Sequence, residues 1–200
     1  METARLETFS DGVFAIAITL LVLLFDVPEL SEGQSLGHVL EHQWPQYASC
    51  AVSFVTIGII WVNHHTLFRH IVRVDRVFLF INVLFLMCVA FLPYPTAVIA
   101  KYVRSDDATA AAVMYGLSLT ATAICFNVLW QYAARGFRLL APDANSREVA
   151  GITRSYWPGA LLYAGATAVA LLSATASVVL FILLALFYVL SSTLWSGSAS

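Results

Sequence analysis

The amino-acid sequence predicts an all-α fold, a polytopic membrane protein with six transmembrane helices, and three observations carry that reading. Of the 200 residues, 60% are hydrophobic and only 11% are charged, whereas a soluble domain carries roughly 25% charged residues. The mean hydropathy is +0.82, and a soluble chain of this size could not bury so much apolar surface, so its solvent is lipid. The apolar residues gather into six segments, each near the roughly 20 residues that cross a bilayer core. Arginine and lysine are divided unevenly between alternate connections, as in membrane proteins of fixed orientation.

The first segment runs from about Phe9 to Phe25 and ends at Asp26-Val27-Pro28, an acid followed by a helix breaker. The second runs from about Pro45 to Phe68, with Trp44 and Pro45 as an interfacial start. The third, about Val77 to Ala100, contains Pro93 and Pro95 towards its end. The fourth spans about Ala108 to Ala134, the fifth Trp157 to Ser173 and the sixth Ser177 to Trp195. Only a Ser/Thr/Ala stretch separates the last two. Residues 27–43 and 135–155 are the longer connections, and either has room for a short surface helix. The tail from Trp195 to Ser200 is expected to lack fixed structure. Residues 1–200 therefore read as a single six-helix domain.

With an even number of spans both termini share a side. On that side lie Arg5, Arg69, Arg73, Arg76, Arg135, Arg138, Arg147 and Arg154, eight in all, against Lys101 and Arg104 on the other. The positive-inside rule places both termini in the cytoplasm of a cell-membrane protein. Near-neutral net charge, −2, and the lack of a dense basic block leave no case for a nucleic-acid partner. Cys50, Cys88 and Cys125 each lie in an apolar segment and read as small core residues, not as a disulfide or metal set.

The first segment holds the most information. At 100° per residue, Gly12, Ile16, Thr19, Leu20 and Leu23 share one stripe, nearly apolar with a single hydroxyl. Ser10 and Asp11 fall away from it near the inner end. An acid at that depth is costly and must find partners in the protein.

The string Arg5, then Phe9-Ser10-Asp11-Gly12 and Val13 to Leu21, resembles the first helix of the transmembrane protein 175 family of potassium channels. The resemblance continues in Trp61, His64, His65 and Phe68, and in Asp75, Asn82 and Leu92-Pro93-Tyr94-Pro95-Thr96. Helices four to six match only in number and length. The resemblance implies a bacterial single-repeat channel that assembles as a homotetramer, with the first helix of each subunit lining the pore. No TVGYG filter occurs in the sequence. Carried over by position, the hydrophobic constriction is Ile16, Leu20 and Leu23, with Gly12 and Thr19 also lining the pore. No cofactor is implied beyond the permeant potassium ion, and with no ring of carbonyls to read ion size the potassium preference should be weak. Without the family, the same stripe would read as lipid-facing or core residues.

Arg5, Ser10 and Asp11 resemble the family's polar cluster, for which His64, His65, Asn63, Asp75 and Asn82 are the available partners. A structural hydrogen-bond network is the better reading of Asp11, and a direct ion-binding role the alternative. Adjacent histidines on a helix point about 100° apart, so His64 and His65 make a poor metal site. Asp26, directly after the first helix, and Glu29 are candidates for an acidic outer mouth that concentrates cations. The competing functions are a secondary transporter, which usually shows internal repeats and a broken-helix midplane site, and a proton-conducting channel. An enzyme would need catalytic side chains facing one cavity, and the polar residues here sit mostly at cytoplasmic helix ends.

Overall fold

The computed structural model describes the backbone of residues 3–196 and the side chains of residues 3–190. Among the described residues eight α-helices follow in order: α1 (Thr3–Leu20), α2 (Leu36–His42), α3 (Trp44–Phe68), α4 (Arg76–Phe91), α5 (Pro93–Tyr102), α6 (Ala108–Ala134), α7 (Ser146–Ala170) and α8 (Ala174–Ser196). Short 3₁₀ turns at Leu21–Leu24 and Arg135–Phe137 extend α1 and α6. Helix α8 takes in Trp195 and Ser196, and the tail from Gly197 on lies outside the described residues. Among the described residues four stretches are long and apolar enough to cross a membrane: Thr3–Leu24, Trp44–Phe68, Arg76–Tyr102 and Ala108–Phe137; Ala174–Leu190 is a shorter apolar helix.

Local chemistry explains most boundaries. Asp75 caps α4 by accepting from the Phe78 amide at 2.8 Å, and Asn145 caps α7 by accepting from the Arg147 amide at 2.9 Å. Pro45 and Pro93 stand in the first turns of α3 and α5, where a missing N–H is harmless. The third predicted segment is therefore two helices: the Leu92 amide donates back to Val89 and α5 restarts at Pro93. The fifth begins at Ser146, eleven residues before Trp157, because the polar run from Ser146 to Tyr156 is itself helical and Pro158 lies within α7. The connection after α2's predecessor segment does carry a surface helix, α2, capped by Ser35.

Helix α1 packs on α3 and α4, α4 on α6, α6 on α7, and α7 on α8. Phe14, Phe78, Phe85 and Trp130 are the largest side chains fully enclosed between them. Gly116 lets α6 approach α7 and α8 closely: a Cβ there would meet Thr167 and come within 2.7 Å of Phe181. After α6, Gly136 adopts φ 64°, the left-handed conformation glycine tolerates. The reversal that follows lets the Val72 amide donate to the Leu139 carbonyl at 3.0 Å, tying the α3–α4 elbow to the α6–α7 elbow.

Candidate functional site

Helix α1 has two faces of opposite character. Leu6, Ser10, Phe14, Ala17 and Leu21, spaced three or four residues apart, are buried against α3 and α4. Gly12, Ile16, Thr19, Leu20 and Leu23 are all exposed on the single chain, Ile16 at 61% and Leu23 at 71%. The change to 3₁₀ winding after Leu20 matters for this stripe. With three residues per turn, Leu23 stands almost directly above Leu20, where continued α-helix would have rotated it by about 60°. Thr19 donates its hydroxyl hydrogen back to the Ala15 and Ile16 carbonyls, at 2.9 and 3.0 Å, which leaves oxygen lone pairs on the exposed side.

The buried face is fastened by a directional chain of hydrogen bonds. Ser10 donates to the Leu6 carbonyl at 2.9 Å and accepts from Asn82 Nδ2 of α4 at 3.0 Å. Asn82 thereby presents Oδ1 to His64 Nε2 of α3, 3.0 Å away, and Nε2 carries the hydrogen. Ser10, Asn82 and His64 are each fully buried. The His64 ring lies parallel to Phe85, centroids 5.4 Å apart, and between Phe14 and Phe68. Its Nδ1 has no hydrogen-bond partner among the described residues.

A second set of contacts joins α1 to α3 at their rims. Trp61 Nε1 donates to Asp11 Oδ1 at 2.8 Å. His65 Nδ1 meets Glu7 Oε1 at 3.0 Å, and the Trp61 and His65 rings stack at 6.1 Å. Glu7 and Asp11 are four residues apart on α1, as Trp61 and His65 are on α3. Two antiparallel helices thus match one i,i+4 pair against another. Trp61 and Glu7 are thus the partners of Asp11 and His65 that polarity alone does not single out in the sequence. The matching spacings, Glu7/Asp11 and Trp61/His65, were the signal available in the sequence.

The remaining polar candidates lie apart from this network. Asp75 is drawn away by its capping role: its Oδ2 accepts from the Tyr132 hydroxyl of α6 at 2.8 Å, and Arg138 donates to that same hydroxyl oxygen at 2.8 Å. Partial burial would raise the Asp75 carboxyl, but the Phe78 amide, the Tyr132 hydroxyl and the Arg138 charge outweigh it and hold its pKa below the usual carboxylate value. Arg5 is exposed and has no hydrogen-bond or ion-pair partner among the described residues. Asn63 is half-buried and faces a small cavity with Thr122, Asn127 and Tyr163, away from Asp11's partners. Asp26 and Glu29 are exposed in the irregular segment that follows Phe25, whose extended backbone ends the 3₁₀ turn. Among the described residues no group of three or more His, Cys, Asp or Glu side chains is placed to hold a metal ion.

Long apolar helices whose buried polar groups satisfy one another across helix boundaries define a polytopic helical membrane protein. Residues 5–93 match the family model for the endosomal/lysosomal potassium channel TMEM175. A potassium channel of Streptomyces collinus is 44% identical over 188 residues, covering 94% of this chain and 91% of that one. A potassium channel of Chamaesiphon minutus is 45% identical over 193 residues, covering 96% and 95%. A crystal structure of a lysosomal potassium-selective channel TMEM175 homolog from Chamaesiphon minutus superposes with a TM-score of 0.86 at 42% identity, over 95% of this chain and 97% of that one. The chain belongs to the TMEM175 family.

Proposed function

We propose that this chain is a subunit of a potassium-permeable cation channel in the cell membrane, assembled as a homotetramer around four copies of α1. The carrying observation is the uncovered stripe on α1. Its opposite face is packed and hydrogen-bonded into the subunit, while Ile16, Leu20 and Leu23 stay exposed on the single chain within the apolar stretch Thr3–Leu24. Lipid could cover an apolar stripe on any helix, and the potassium-channel names of relatives 44% and 45% identical favour a pore instead. Each chain contributes one six-span unit over residues 1–200: α1 with its 3₁₀ turn, α3, α4 with α5, α6, α7 and α8. Both termini lie in the cytoplasm.

In this reading Ile16, Leu20 and Leu23 form rings about 6 Å apart along the axis, closing the pore by a hydrophobic constriction, and Gly12 and Thr19 complete its lining. Such a wall offers little to distinguish ion sizes, so selectivity for potassium is weak. Ser10, Asn82, His64, Asp11 and His65 act as structural fasteners. One helix cannot enclose a pore, and closed cyclic symmetry is the simple solution. Native mass spectrometry in detergent should give four chains, and reconstituted bilayers should give unitary potassium currents. A species no larger than a dimer, or carrier-like flux without unitary steps, would defeat the proposal.

Asp26 and Glu29 belong to the outer mouth, where four copies of each raise the local cation concentration. Asp26 is exposed, with only its backbone carbonyl engaged, by Gln43 at 3.4 Å. Asp26→Asn should reduce inward current in dilute salt, with the deficit fading as ionic strength shortens the screening length to about 3 Å at 1 M. A deficit independent of salt would assign Asp26 another role.

A further inference from the structure

The fold brings together two cysteines that the sequence scatters. Cys88 of α4 and Cys125 of α6 place their sulfurs 3.8 Å apart, and both are free, half-buried thiols. Cys50 of α3 stands elsewhere, its sulfur 3.7 Å from the Leu21 carbonyl. Cys88 is twelve residues beyond Arg76 at the start of α4, and Cys125 is nine before the end of α6. Both therefore lie roughly 14–18 Å from the cytoplasmic ends of their helices, within the span.

We propose that Cys88 and Cys125 form a redox-active dithiol that closes to an intramolecular disulfide when a membrane-soluble two-electron oxidant reaches it. A disulfide bond is about 2.05 Å long, so the sulfurs must approach by about 1.8 Å, a displacement shared between two side chains on separate helices. The two S–H bonds break, the S–S bond forms, and two electrons and two protons pass to the oxidant. A lipid-soluble quinone becomes the hydroquinone; diamide becomes the corresponding hydrazine. Six residues before Cys88 on α4 stands Asn82, which holds Ser10 of α1. The cross-link therefore fixes the helix that carries α1 to α6, and through α6 to α7. That mechanical consequence rests on the channel reading; the dithiol does not.

The test treats the purified full-length protein with diamide, denatures it, and counts the thiols that N-ethylmaleimide can block by intact mass. Of the three cysteines, all should react before oxidation and only Cys50 after it, and dithiothreitol should restore all three. Peptide mapping should pair Cys88 with Cys125. Cys50→Ser should keep the cross-link, whereas Cys88→Ser and Cys125→Ser should show no loss of thiols. Three reactive thiols after diamide, or an equal loss in Cys88→Ser, would overturn the dithiol. In bilayers, oxidation should lower wild-type current reversibly and leave Cys88→Ser unchanged. Undiminished current from fully cross-linked protein would overturn the mechanical consequence, while absence of current in both redox states would count against the channel reading and leave the dithiol standing.

Discussion

Ile16→Asn should raise potassium current about tenfold and move the reversal potential, measured with potassium and sodium on opposite sides, towards zero. In the proposed tetramer four Ile16 side chains meet near the axis and offer no polar atom to replace the hydration of an ion. Four carboxamides admit water. Lowering the barrier by about 1.4 kcal/mol in total suffices for a tenfold effect, a small fraction of what an ion loses when it sheds its water. Ile18 is the control. It is partly buried against the subunit core, so Ile18→Asn should lower yield and thermal stability rather than raise current. Leu20→Ala and Leu23→Ala should have smaller effects if Ile16 is the narrowest ring. Wild-type current and reversal potential from a normally assembled Ile16→Asn channel would mean that α1 does not line the pore.

Asn82→Leu should be the most damaging of the polar substitutions. It leaves the His64 Nε2–H without an acceptor and takes from the Ser10 oxygen the N–H it accepts, both at full burial, while Ser10 keeps its bond to the Leu6 carbonyl. A buried group without its partner costs about 1–3 kcal/mol, and hydrogen bonds between membrane helices measure at the lower end of that scale. The expected loss is about 2–3 kcal/mol, read as a drop of several degrees in the melting temperature of the solubilised protein. The same mechanism predicts a rescue. With Ser10→Ala and His64→Phe added, no donor is left stranded, and the Phe ring keeps the stacking against Phe85. The triple variant should therefore melt above Asn82→Leu alone. If it melts lower, the losses are additive packing losses and the three residues do not act as a network.

The sequence was most informative where burial and periodicity act on one helix. The stripe through Ile16, Leu20 and Leu23 was legible as one face because helical periodicity sets it apart from Ser10 and Asp11, but both faces of α1 are largely apolar, so only the family resemblance distinguished it from a lipid-facing or core stripe. The eight-helix division was less legible. Hydropathy cannot see that Pro93 interrupts a span without ending it, or that the polar run from Ser146 to Tyr156 is already part of α7. Pairings between helices were legible only in part. Asn82 and His64 were available as partners by polarity, but Asp11 found Trp61 because an indole N–H was in reach, and Asp75 was claimed by the start of its own helix. The nearness of Cys88 to Cys125 had no local signal, since it depends on how α4 crosses α6.

The Ser10–Asn82–His64 chain has a consequence for how the protein is made. Its three members belong to α1, α3 and α4, so every side chain it requires has been synthesised once residue 82 leaves the ribosome. The nascent protein holds, within its first three spans, every side chain of this hydrogen-bonded chain. The Asp75–Tyr132–Arg138 contact, by contrast, waits for α6 and the turn beyond it. Insertion thus has a natural order. The amino-terminal half has what the Ser10–Asn82–His64 chain needs before α6, α7 and α8 arrive, whereas the Ser53 hydroxyl gains the Tyr115 hydroxyl of α6, 3.0 Å away, only afterwards.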